Sequence, residues 1–318
     1  VNEPAEESRL VRIREVRRVA VDINSYELAP ADGRPLPPFS AGSHIDVLVP
    51  NGMTRQYSLY GDPADRGAYR IAVKREAAGR GGSASLHDKA EAGTALGIVG
   101  PRNHFPLAAQ ARHSLFIAGG IGITPIHAMA RELSARGAPW TLHYCARSAD
   151  HAAFHDELRA LPGGQVIAHF SEVPTLDVAT LLAEPREGTH VYCCGPQGLM
   201  KAVEAATAHW APGHVHFEWF AAPDTAWPPN QPIEVELARS GTVVQVPAGR
   251  TILQVLREYG VDVPCACEEG VCGTCETAVL AGEPQHRDIL LTPEERAANR
   301  TMMVCVSRAN SARLVLDL

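Results

Sequence analysis

The chain has 318 residues, 45% apolar and 20% charged, with 27 glycines and 24 prolines; at ~150 residues per domain this suggests about two domains and room for a smaller third, and it excludes a disordered or fibrous chain. A net charge of −7 argues against nucleic acid as a partner, which needs a basic surface. No run approaches the ~20 apolar residues of a bilayer span, and Val1-Asn2-Glu3-Pro4 lacks the basic and apolar regions of a secretion signal, so a cytoplasmic protein off the membrane is expected.

Residues 1–108 alternate in short runs, Leu10–Val16, His44–Val49, Arg55–Leu59, Tyr69–Lys74 and Ala95–Val99, punctuated by Gly33, Asn51-Gly52 and Asp62-Pro63. That pattern predicts a small antiparallel β-barrel, with one helix, Ser83–Ala90, after Gly81-Gly82. The run Arg55-Gln56-Tyr57-Ser58-Leu59 places Arg55, Tyr57 and Leu59 on one face and Ser58 on the other. Such a strand also fits a plain barrel face with one solvated charge. After Ala72-Val73-Lys74, the segment Gly79-Arg80-Gly81-Gly82-Ser83-Ala84-Ser85 opens the helix. A glycine turn there directs free N–H groups and the positive dipole end outward, which suits a phosphate, and Arg55 offers it a charge-assisted donor. A simple N-cap at Ser83 accounts for the same residues.

Residues 109–222 change to alternating strands (Ser114–Ala118, Trp140–Ala146, Gln165–Phe170, His190–Cys194, His214–Phe220) and helices (Thr124–Arg136, His151–Leu161, Asp177–Ala183, Gln197–Trp210). This predicts an α/β doubly wound parallel sheet. Two strand-to-helix turns stand out, Gly119-Gly120-Ile121-Gly122-Ile123-Thr124-Pro125 and Cys193-Cys194-Gly195-Pro196. Glycines let a backbone approach a pyrophosphate at a helix N-terminus, although a tight turn alone explains the first and buried strand packing explains the two cysteines. After Trp140–Ala146 only Arg147 is a plain cation, with Asp150 opposing it, a poor pocket for a nucleotide 2′-phosphate.

Residues 223–232 are proline-rich and read as a stiff linker to a last domain, 233–318. There, Ile233–Leu237 and Val243–Val246 form a hairpin, and Thr251 caps a helix ending at Gly260. Of eight cysteines, Cys267, Cys272 and Cys275 have the spacing C-x4-C-x2-C, with Cys305 distant. That is the spacing of plant-type [2Fe–2S] sites; tetrahedral zinc is the rival, but its usual second C-x2-C is missing.

On these motifs, residues 233–318 resemble the plant-type ferredoxins, which implies an α+β, β-grasp-like fold and cluster ligands Cys267, Cys272, Cys275 and Cys305. Cys265 departs from the family pattern and reads as a small packing residue, with alternative ligation a weaker reading. Arg-x-Tyr-Ser, the glycine turn before the first helix, Gly-Gly-x-Gly-x-Thr-Pro and Cys-Gly-Pro resemble, in that order, the ferredoxin–NADP reductase superfamily. The domain order resembles its phthalate dioxygenase reductase and vanillate demethylase reductase branch. The resemblance implies FMN, with FAD as alternative, held by Arg55, Gln56, Tyr57, Ser58, Ala72, Val73, Lys74, Gly81, Gly82, Ser83 and Ala84. It implies NADH held by Gly119, Gly120, Gly122, Thr124, Pro125, Arg147, Cys194, Gly195 and Pro196, with Phe220 over the flavin ring. Ser58, Cys194 and Glu218 would surround hydride transfer, and His44, His87, His104 and His127 are given no catalytic role. The implied partner is a Rieske-type oxygenase served by a monomeric reductase. Glu268, Glu269 and Glu276 offer it an acidic face, or are merely solvated. A haem monooxygenase as acceptor and a redox-sensing cluster without turnover are the alternatives.

Overall fold

The computed structural model describes residues 8–171, 176–222 and 226–318 and divides into two compact units, Val1–Phe220 and Ala221–Leu318. The expected barrel and nucleotide domains thus share the first unit, and part of the expected linker, residues 223–225, lies outside the described residues.

The first segment is a closed six-stranded barrel, built from β1 (Arg9–Ala20), β2 (Ile23–Pro30), β3 (Ser43–Leu48), β4 (Thr54–Tyr60), β5 (Tyr69–Lys74) and β6 (Ala95–Asn103) in the order β1-β2-β5-β4-β3-β6. Alternate residues such as Val11, Ile13, Ile45, Val47, Leu59 and Ile71 fill it. Strand β2 was not expected from the sequence. It follows a tight turn at Asp22, whose φ of 59° reverses the chain without a glycine or proline. Helix α1 (Gly82–Lys89) starts after Gly81, at φ 88°, and no side chain caps it. The Ser83 cap is therefore corrected: its hydroxyl instead accepts the Glu76 N–H at 3.1 Å.

The second segment holds β7 (His113–Gly119), α2 (Ile123–Ala135), β8 (Trp140–Ala146), α3 (His155–Arg159), β9 (Gly164–Phe170), α4 (Val178–Leu182), β10 (Thr189–Cys194), α5 (Gln197–Ala206) and β11 (Val215–Glu218). All five strands are parallel, ordered β11-β10-β7-β8-β9. The chain winds outward from β7 to β9 and then returns to β10 on the other side. This opens a crevice between the carboxyl ends of β7 and β10, the place where such sheets bind ligands. The helix expected over 151–161 is shorter because Phe154, at φ 62°, breaks it. The α5 helix stops at Ala206, and Trp210 is instead held beyond it, its ring N–H donating to Leu182 O at 3.0 Å. A buried strut joins the two segments: His127 Nδ1 accepts the Gly61 N–H at 3.3 Å, beside Tyr60 and Phe154.

The second unit contains β12 (Ile233–Leu237), β13 (Thr242–Val246), α6 (Ile252–Glu258), β14 (Glu276–Ala281), β15 (Pro284–Gln285), α7 (Pro293–Ala298), β16 (Thr301–Met303), β17 (Arg308–Ala309) and β18 (Arg313–Leu316). Its mixed sheet runs β13-β12-β18-β14-β16, with β12 and β18 parallel and α6 packed against it. Thr251 caps α6 in a reciprocal capping box with Gln254. Among the described residues no helix is long and apolar enough to cross a membrane.

Candidate active site and metal centre

The two glycine turns meet at the sheet's crevice. A Cβ on Gly119 would lie 2.4 Å from Pro196 Cδ, one on Gly195 2.9 Å from Gly119 N, and one on Gly122 2.3 Å from Cys194 O. The backbones touch where any side chain would hold them apart. Beside them is a cavity of about 360 Å³, lined at strand ends by Gly119, Gly120, Cys145, Arg147, His169 and Pro196, and from the barrel by Ile23 and Lys74. Its volume suits part of a dinucleotide. Thr124 and Pro125 are buried in the start of α2, where Thr124 Oγ1 donates to Ile121 O at 3.0 Å, so they shape the turn rather than line the cavity. At the start of α5, Gln197 Nε2 is buried without a protein partner, an unsatisfied donor next to the crevice.

On the barrel, β4 and α1 pack together through Arg55 and Gly82: a Cβ on Gly82 would come within 2.9 Å of Arg55 Cγ and Nε. The Arg55 fork donates to Thr54 O at 2.7 Å and to Met53 Sδ at 3.3 Å, with no carboxylate partner among the described residues. Next to it, Gln56 Nε2 is buried and unsatisfied. A cation and a helix N-terminus that no side chain caps match a phosphate, and the orphaned donor matches a polar ring edge, so these residues fit a flavin mononucleotide. Ala72 and Val73 are buried in β5 beside them, and Tyr57 has its phenol pushed further up by burial.

Ser58 projects from the opposite face of β4 and donates through Oγ to Glu218 Oε2 at 3.3 Å, joining the barrel to the end of β11. Glu218 pairs along the sheet with Cys194 at the end of β10. Burial raises the Glu218 carboxyl to about 8, against the lowering effect of the Ser58 hydroxyl. Burial, with Glu218 beside it, also raises the Cys194 thiol, which is fully buried and therefore unsuited to act as a thiolate nucleophile. The three residues expected around hydride transfer are thus brought together, while Phe220 lies two residues beyond β11 and is 42% exposed.

In the second unit the loop between α6 and β14 gathers the cysteines. Its left-handed turns at Glu268 (φ 55°) and Gly270 (φ 72°) fold it back, and a Cβ on Gly270 would meet Val306 Cγ2 at 2.7 Å. The Glu269 N–H donates to Cys267 Sγ at 3.3 Å and Thr274 Oγ1 to Cys272 Sγ at 3.3 Å, the kind of donors that stabilise thiolates holding iron. Cys267 and Cys272 share a small apolar cluster, whereas Cys275 and Cys305 sit in the main core. Two pairs of thiols match the two irons of a [2Fe–2S] cluster.

Comparison with known proteins matches a family model to each of two segments. The model of an oxidoreductase NAD-binding domain matches residues 116–205, and that of a 2Fe-2S iron-sulfur cluster binding domain matches residues 235–310. Phenoxybenzoate dioxygenase subunit beta of Ectopseudomonas oleovorans is 51% identical over 312 residues, and phthalate dioxygenase reductase of Burkholderia cepacia 46% over 313, each alignment covering 97% of both chains. The chain belongs to the phthalate dioxygenase reductase family. A solved phthalate dioxygenase reductase matches with a TM-score of 0.75 at 45% identity, covering 97% of both chains. An intact type IV self-sufficient cytochrome P450 monooxygenase matches with a TM-score of 0.87 at 42% identity, but this chain spans only 43% of it.

Sequence reading of this family member missed Val21, Ile23, Cys145, His169 and Gln197 around the crevice. Cys145 and His169 end β8 and β9, so the rule that ligands lie at strand carboxyl ends would have found them. Val21 and Ile23 carry no such signal, because they reach the crevice at the turn into the unexpected β2.

Proposed function

We propose that the chain is the reductase component of an oxygenase system with a Rieske-type centre, passing electrons from NADH through FMN to its [2Fe–2S] cluster and on to the oxygenase. FMN supplies the conversion of a two-electron donor into single electrons, and the cluster carries one electron at a time. Arg55 and the α1 N-terminus with Gly81, Gly82, Ser83 and Ala84 hold the flavin phosphate. Gln56, Tyr57, Ala72, Val73 and Lys74 line the flavin, and Phe220 covers its ring. Gly119, Gly120, Gly122, Arg147, Cys194, Gly195 and Pro196 seat NADH, with Thr124 and Pro125 fixing the turn. Ser58 and Glu218 orient the two rings and shut out water, the neutral Glu218 carboxyl avoiding a charge beside the transferred hydride. Cys267, Cys272, Cys275 and Cys305 hold the cluster.

The observation that carries this reading is the half-buried bond from Ser58 on the barrel to Glu218 beside Cys194, which supports a shared site for the flavin strand and the nucleotide turn. Thiolate ligation favours a reducing compartment, hence the cytoplasm, and the reductase acts as a monomer. A haem acceptor is the second reading, favoured by the similarity to the self-sufficient P450; the coverage of 97% on both sides with stand-alone dioxygenase components favours the first. Anaerobic mixing of the NADH-reduced chain with a purified Rieske oxygenase or with a P450 haem domain, over a range of salt, tests it. Fast, salt-sensitive reduction of the Rieske centre supports the proposal, and reduction of the haem alone overturns it.

A further inference from the structure

Five thiols converge in the second unit, one more than a [2Fe–2S] cluster uses. The extra one, Cys265, lies two residues before Cys267 and is half-buried. The sulfurs of Cys265, Cys275 and Cys305 all lie within 4.8 Å of one another. Cys265 packs on the same apolar core as Cys275 and Cys305, whereas Cys267 and Cys272 lie in the separate cluster with Ala266. Cys265, Cys275 and Cys305 therefore form a triad at the core, which meets the loop pair where Cys305 approaches Cys267. Two thiolates on one tetrahedral metal, with bonds of about 2.3 Å, lie about 3.8 Å apart, so a side-chain rotation closes the remaining distance.

We propose that Cys265 is a reserve ligand of the cluster, able to replace Cys275 or Cys305 on the core-side iron and unable to replace Cys267 or Cys272. The exchange is redox-neutral. The iron–sulfur bond to Cys275 or Cys305 is broken and the released thiolate takes up a proton, or in a variant lacking that thiol the bond never forms; Cys265 gives up its proton, and its sulfur makes the new bond. Four thiolates still surround the two irons, so the charge of the site is unchanged. The inference rests on the four-ligand assignment above.

The test is a set of full-length variants purified anaerobically, read by iron and sulfide per chain and by electron paramagnetic resonance of the reduced cluster. C265A keeps the wild-type iron and signal. C275A and C305A retain a cluster with shifted g-values. C272A and the double variant C275A/C265A fall about fivefold or more below C275A in iron. Serine variants, which perturb the fold less, provide a second arm: C275S shows an all-thiolate cluster and C275S/C265A an oxygen-ligated one. The proposal is overturned if C275A and C305A lose iron as completely as C272A, or if removing Cys265 changes nothing in either background. Loss of the cluster in C265A alone overturns the four-ligand assignment instead.

Discussion

Replacing Glu218 by glutamine isolates the electrostatic character of the barrel–crevice junction. Glu218 is half-buried with no cation paired to it among the described residues, and loss of hydration at the junction lifts its carboxyl from 4.5 to about 8. In the unfolded chain the same carboxyl ionises near its ordinary value, so between these limits the folded chain holds a proton that the unfolded chain has released. Stability from this group therefore falls as pH rises, by about 1.4 kcal/mol per unit and about 5 kcal/mol across the whole window, and is flat above it. Glutamine keeps the shape and cannot ionise. Urea unfolding of the wild type and E218Q, followed by tryptophan fluorescence between about pH 5.5 and 7.5, gives the difference directly. The wild-type stability minus that of E218Q falls by about 2–3 kcal/mol across those two units. A difference that stays flat would mean that the carboxyl ionises normally and is hydrated, which would refute the closed Ser58–Glu218 junction.

With Glu218 placed as proposed, the rate of flavin reduction by NADH in stopped flow is expected to change with an apparent pKa near 8 in the wild type and to lose that inflection in E218Q. S58A removes the donor that favours the charged carboxylate, so the inflection moves to higher pH. R55A loses a charge-assisted bond worth about 1.5–3 kcal/mol, which weakens flavin retention about 10- to 150-fold by fluorescence of released flavin while the iron content stays unchanged. G122A forces a Cβ against the Cys194 carbonyl at 2.3 Å, and raises KM for NADH about tenfold or more with the cluster spectrum intact.

The helix-period and strand-period patterns made the three-part organisation readable, because β7 to β10 are short strands each followed by a helix before the next strand begins. Cys-Gly-Pro and the glycine turn were readable as backbone approaches, and the structure puts Gly119 and Gly195 in contact. Strand β2 was hidden because Ile23–Pro30 mixes buried polar Ser25 with buried Tyr26 and Leu28, which breaks the expected alternation in a strand lying between β1 and β5. The partnership of Ser58 with Glu218 is 160 residues apart in sequence and depends on the docking of barrel on sheet, which no local pattern encodes. The place of Cys265 among the thiols was also unreadable, because spacing alone gives no distance to Cys305, 40 residues away.

Anaerobic titration of the flavin- and iron-loaded chain with NADH, followed by absorption, tests the electron path most directly. Two electrons on FMN and one on the cluster require about one and a half NADH per chain for complete bleaching of both chromophores. A chain that binds flavin and iron yet stops at one equivalent with the cluster still oxidised, or does not bleach at all, would contradict it.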